Sequence, residues 1–158
     1  PEGEGAVWFD EVELREALAP VTAKTAPAAV RVPVGQSASV LTFLHAANMQ
    51  FIPESLPMGE TAKRYASLMP GVYVVRYEDG GSVQIPLSYR QQVSGIDDPA
   101  LGREADAVLF GTVGDRQFVN ISSFTWKNPN PQRRILAVDL VPGNSSELGL
   151  ALFGLTLE

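Results

Sequence analysis

One histidine, His45, stands alone in a chain that contains no cysteine. That excludes disulfide frameworks, zinc ribbons and thiol nucleophiles, and it leaves a single imidazole for acid–base work. Carboxylates occur in adjacent pairs at Asp10-Glu11, Glu78-Asp79 and Asp97-Asp98. A glycosidase needs two carboxyl groups facing each other across a cleft, and nothing in the sequence sets these pairs opposite one another. Glu78-Asp79 reads as a solvated hairpin tip. Asp97-Asp98-Pro99 reads as a plain turn, with an oxygen-ligand calcium site as its alternative. No Gly-x-Ser-x-Gly elbow, phosphate loop, dinucleotide fingerprint or His-Glu-x-x-His occurs. No catalytic residue is nominated, and the chain is read as a non-enzyme.

The aromatic residues offer different chemistry. Sugars present patches of C–H that stack on flat rings, while their hydroxyls bond to polar side chains; a ring is rigid and loses little entropy on contact. The candidates for carbohydrate contact are Tyr89, with Arg90 beside it, Tyr65 and Trp126. Tyr89 leads a polar loop and is expected as an exposed platform. Tyr65 follows Lys63-Arg64 in a long loop. Trp126 lies on the Phe124 face of its strand, where packing against the core competes with ligand contact. Trp8, in an acidic strand, reads as core. His45 shares a face with Leu41 and Phe43 and reads as a hydrogen-bonded core histidine.

The chain has 158 residues, enough for one domain with its own core. Apolar residues make up 45%, which excludes a chain disordered by composition. The net charge is −6, and Arg133-Arg134 is the only adjacent arginine pair. No basic stripe is present for a phosphate backbone, so nucleic acid is not expected as a partner. No apolar run approaches the ~18 residues of a membrane span; the longest, Leu148 to Leu155, contains two glycines. The N-terminus, Pro1-Glu2-Gly3-Glu4-Gly5, is not a signal peptide and reads as the cut end of a longer chain.

These side chains must be positioned by strands. Gly5 to Leu14 mixes β-branched, aromatic and acidic residues and predicts one strand. Residues 15–29 are rich in Ala, Pro and Thr and read as a linker. The first strand either crosses back to join the sheet or belongs to another module. From Val30 the pattern is all-β. Val30 to Val34, with Pro33, suits a sheet edge; Ser39 to Ala46 alternates as a buried strand. Asn48 to Met69 reads as a long loop with room for a helical turn at Glu60 to Ser67. Gly71 to Glu78 and Ser82 to Leu87 flank Asp79-Gly80-Gly81, the clearest hairpin signal, because Asp-Gly supplies the positive φ of a tight turn. Tyr89 to Arg103 is polar and irregular. Further strands are predicted at Ala105 to Val113, Phe118 to Lys127, Ile135 to Val141 and Leu148 to Leu157. Asn128-Pro-Asn-Pro131 stops the second of these, since proline cannot donate to a ladder, and Pro142-Gly143-Asn144 joins the last two. Seven to nine strands at this spacing predict an all-β antiparallel β-sandwich or jelly roll.

Three stretches carry a family likeness: Ser39 to Ala46 with its Phe-Leu-His-Ala, Tyr73 to Pro86, and Phe124-Thr-Trp-Lys-Asn-Pro-Asn-Pro131 with Ile135 to Leu140. In that order they resemble galactose-binding-like jelly-roll domains attached to bacterial glycoside hydrolases, over about residues 30 to 157. After Ile85-Pro-Leu87 such domains continue Tyr-Gly and end in Asp-Trp. Here Arg90-Gln-Gln follows Tyr89, and no Trp follows Asp97-Asp98. Val7 to Leu14 is similar to the terminal strand of a carbohydrate-binding jelly roll, in which an aspartate can ligate a structural calcium; the resemblance nominates Asp10. The expected organisation is a strand at 1–14, a linker at 15–29 and a β-sandwich at 30–158. The resemblance implies a non-catalytic carbohydrate-binding module of a secreted bacterial polysaccharide-active protein, outside the cell or on its surface. It implies an oligosaccharide or polysaccharide as partner. The alternative is a structural or assembly domain of an extracellular layer or fibre, whose N-terminal strand pairs with a neighbouring module or subunit.

Overall fold

The hairpin signalled by Asp79-Gly80-Gly81 is the local seed of one of two sheets. Gly80 takes φ 87°, a left-handed conformation that favours glycine, and Gly81 N–H donates to Asp79 Oδ1 at 3.0 Å. The flanking strands pair antiparallel with Tyr73 opposite Ile85 and Val75 opposite Val83. In this computed structural model the described residues are 5–7, 29–49, 68–113, 117–143 and 148–158.

They form nine strands: β1 (Gly5–Val7), β2 (Val30–Gln36), β3 (Val40–Met49), β4 (Gly71–Tyr77), β5 (Ser82–Leu87), β6 (Asp106–Val113), β7 (Gln117–Lys127), β8 (Ile135–Pro142) and β9 (Leu148–Leu157). A five-stranded sheet runs β1-β9-β3-β7-β6 and a four-stranded sheet runs β2-β8-β4-β5, every pair antiparallel. The described residues form an all-β, two-sheet sandwich. The described residues contain no helix long and apolar enough to cross a membrane.

The core lies between the inward faces, as alternation requires. Leu41, Phe43 and His45 of β3 are fully buried, and so are Tyr73 and Val75 of β4, Leu87 of β5 and Val138 of β8. Phe43 and Tyr73 stack across the gap between sheets, with ring centroids 4.1 Å apart and planes 7° from parallel. Pro33 sits in β2, at the edge of its sheet, where its missing N–H costs least. Leu136 is exposed because the ladders on both sides of β8 shift register there and bulge it out.

One feature departs from the sequence reading, and two concern pairings it left open. β3 runs on to Met49, past the expected end at Ala46, because β9 keeps pairing with it as far as Leu148. Beyond His45 it leaves β7 and instead bonds the 94–96 segment: Ala47 N–H donates to Ser94 O, and Ile96 N–H to Ala47 O, both at 2.8 Å. β8 and β9, adjacent in sequence, lie in different sheets. And Gly5–Val7 pairs with Leu155–Leu157 of the same chain, on the outer side of β9. The expected linker up to residue 28 and the helical turn at 60–67 lie outside the described residues.

Candidate functional site

The loop from Ser88 to Ala105 carries the chain from one sheet to the other, and it holds two of the nominated residues. Tyr89 was expected as an exposed ring; it is 1% exposed. Its hydroxyl donates to Asp98 Oδ2 at 2.7 Å and accepts from Gly95 N–H at 3.2 Å. Burial and then the Asp98 carboxylate push the Tyr89 phenol far above its ordinary pKa. Arg90 adopts a left-handed φ of 59°, uncommon for a residue with a side chain. It reaches Asp98 through Nε to Oδ2 at 2.8 Å and Nη2 to Oδ1 at 2.9 Å. Ala100 N–H donates to Asp98 Oδ1 at 2.9 Å. A buried tyrosine needs a partner for its hydroxyl, and Asp98, nine residues on, supplies it. Tyr89 is therefore a fastener of the loop and not a platform on its surface, and Asp98 serves as the acceptor of that fastener.

Trp126 is half-buried and packs against the core, opposite Leu41 in the β3–β7 ladder. Tyr65, Asp10 and Trp8 lie outside the described residues. Among the described residues no group of three His, Asp or Glu could hold a metal ion. His45 is 0% exposed, as the sequence reading expects of a core histidine. Its Nε2 lies 2.9 Å from Gln92 O and its Nδ1 2.8 Å from Tyr73 Oη. A carbonyl only accepts, so Nε2 carries the proton and Nδ1 accepts from the Tyr73 hydroxyl. Burial pulls the imidazole pKa down from 6.5 to about 4, which keeps it neutral.

The β4–β5 hairpin and the Asn128-Pro-Asn-Pro131 turn meet one another. Tyr77 Oη donates to Asn128 Oδ1 at 2.6 Å. Asn128 Nδ2 donates to Ala38 O at 2.8 Å, and Asn130 N–H returns to Asn128 Oδ1 at 2.9 Å. The Arg133 guanidinium lies 4.1 Å over the Tyr77 ring and grips Asp79. Arg134 Nε meets Glu78 Oε1 at 3.0 Å. These residues lock the β4–β5 turn to the 128–134 turn. Their work is structural.

A different surface gathers charged and polar side chains. On the outward face of the four-stranded sheet, strand alternation aligns Arg31 of β2, Asp139 of β8, Val74 and Arg76 of β4, and Gln84 of β5. Asp139 is only 3% exposed. Arg31 holds it through Nε to Oδ1 at 2.7 Å and Nη2 to Oδ2 at 3.0 Å, and Arg76 Nε also donates to Oδ2. The side chains of Arg31 and Arg76 stay 60% and 44% exposed. Arg31 above all, with Arg76 beside it, holds the Asp139 carboxyl down at about 2 against the opposing effect of burial. Next to this triad, Val72, Val74, Arg76, Ser82, Gln84 and Val141 line a shallow groove of about 330 Å³, at the small end of the range for ligand clefts. Its floor is valine and its rim is polar. The sequence reading missed Arg31, Arg76 and Asp139. The available signal was a charged residue at the out-facing position of an apolar strand, as in Val-Asp-Leu at 138–140.

No family model, curated protein or solved structure matches this chain.

Proposed function

We propose that the chain is a non-catalytic carbohydrate-binding β-sandwich module of a secreted bacterial polysaccharide-active protein. The observation that carries this reading is the groove on the outward face of β4, β5 and β8. It sets Arg76, Ser82 and Gln84 around a floor of Val72, Val74 and Val141. Valine side chains take the C–H face of a sugar, while arginine, serine and glutamine bond its hydroxyls. Strands hold these groups more rigidly than loops would, so little ordering is left to be done on binding. A sandwich alone does not license a function; the groove and the resemblance of residues 30 to 157 support it together. The exchanged-strand alternative draws no support from β1, which pairs within its own chain.

The test is affinity gel electrophoresis of the whole chain against acidic and neutral polysaccharides, with a reducing-sugar assay on the same polymers. Retardation by at least one polymer without release of reducing ends is the expected result. No retardation by any of them overturns the reading, and so does turnover that disappears when a carboxylate is changed.

A further inference from the structure

The Arg31–Asp139–Arg76 triad sets the charge at one end of the groove. Two guanidiniums surround one carboxylate, so the triad keeps one net positive charge. Among the described residues the rest of the lining, Val72, Val74, Ser82, Gln84 and Val141, carries no charge. This surface is therefore locally positive on a chain whose net charge is −6. The negative member is the buried one and the positive members are the exposed ones, so an approaching ligand meets guanidinium. Asp139 fixes both arginines in advance, which lowers the entropy lost when they bind a further anion. Among the described residues no ring lines the groove, so the grip there comes from polar and charged groups. Charge-assisted hydrogen bonds are the stronger contact available there.

We propose that this groove takes an acidic polysaccharide, with an anionic oxygen group of the sugar, a carboxylate or a sulfate ester, bound at the Arg31–Arg76 end. The inference rests on the carbohydrate-binding reading above and narrows its ligand. Val72, Val74 and Val141 face the ring carbons, and Ser82 and Gln84 meet the hydroxyls. Arg76, which belongs to both the triad and the groove, is the specificity-determining residue.

The experiment is affinity gel electrophoresis of the full chain with polygalacturonate, a sulfated galactan, neutral agarose and duplex DNA, at low salt and at about 0.5 M salt, where surface charges are screened within a few Å. Retardation by polygalacturonate identifies a carboxylate ligand, and retardation by the sulfated galactan a sulfate ester. Either should weaken at high salt. Gln84→Glu, an isosteric change at an exposed position, puts a negative charge in the groove and should weaken the retardation roughly tenfold. Arg76→Gln should do the same, with a thermal melt to show that it folds. Retardation by agarose alone overturns this inference and leaves the carbohydrate reading standing. Retardation by none of the polymers overturns both. Equal retardation by DNA, or retardation indifferent to Gln84→Glu, overturns the inference by showing unspecific attraction of polyanions or a different surface.

Discussion

The Tyr77 hydroxyl donates to Asn128 Oδ1 over 2.6 Å, and this bond joins two segments 51 residues apart. Asn128 spends its amide on Ala38 O and its carbonyl also on Asn130 N–H, so one buried side chain ties the β4–β5 hairpin, the start of β3 and the turn after β7. Removing a single partner from such a node leaves others unsatisfied, which costs more than the bond contributes net. Tyr77→Phe should destabilise the fold by about 1–2 kcal/mol and Asn128→Ala by about 2–3 kcal/mol. Urea unfolding of each variant measures this. An Asn128→Ala variant as stable as the parent contradicts the latch.

His45 makes stability depend on pH. Its folded pKa, about 4, lies below the 6.5 of an exposed imidazole, so the unfolded chain binds more protons between those values. Its contribution is complete above about pH 6.5 and is lost as the pH falls toward 4. Over that window the shift amounts to about 3 kcal/mol. Urea midpoints at pH 7 and pH 4.5 should differ for the parent. In His45→Gln the part of the difference due to the imidazole should vanish.

Asp139 acts in a lower window. Arg31 first, then Arg76, depress its pKa from 3.8 to about 2. Its stabilisation is present above about pH 4 and is lost as the pH falls through 2. Both arginines are well exposed, so solvent screening reduces the effect to about 1 kcal/mol. Asp139→Asn should remove the part of the slope between pH 4 and 2 that is due to this carboxyl in acid-unfolding curves. It should also leave the two guanidiniums without their anion, and loosen them.

The loop fastener has its own test. Tyr89→Phe deprives Asp98 of one donor and Gly95 N–H of its acceptor, at a cost of about 1–2 kcal/mol. The change sits inside the loop, away from the groove on the outward sheet face. Hydrogen exchange should therefore show faster opening across 89–100, while polysaccharide retardation stays that of the parent. Lost retardation in this variant returns the binding site to the loop.

What could be read in the sequence was local. Alternation placed Leu41, Phe43 and His45 on one face of β3, and Tyr73, Val75 and Tyr77 on one face of β4, because successive side chains of a strand point to opposite sides. Asp79-Gly80 announced its turn because few residues tolerate that backbone conformation. Most strand boundaries, though not the end of β3, followed from the same two signals and pointed to a β-sandwich. Carbohydrate-contacting residues were sought by type, as exposed rings. Tyr89 answers to that type, but a carboxylate nine residues on draws it inside.

Beyond the β4–β5 hairpin, the tertiary structure alone decided which strands meet. Arg31 and Asp139 are 108 residues apart and become neighbours only because β2 pairs with β8. Arg76 joins them because β4 takes the other side of β8. Adjacent strands β8 and β9 separate into different sheets, so sequence proximity is no guide there. Local patterns record a residue's own backbone preference and its alternation. Pairing across a sandwich is settled by the combined burial of both sheets, which no single segment encodes.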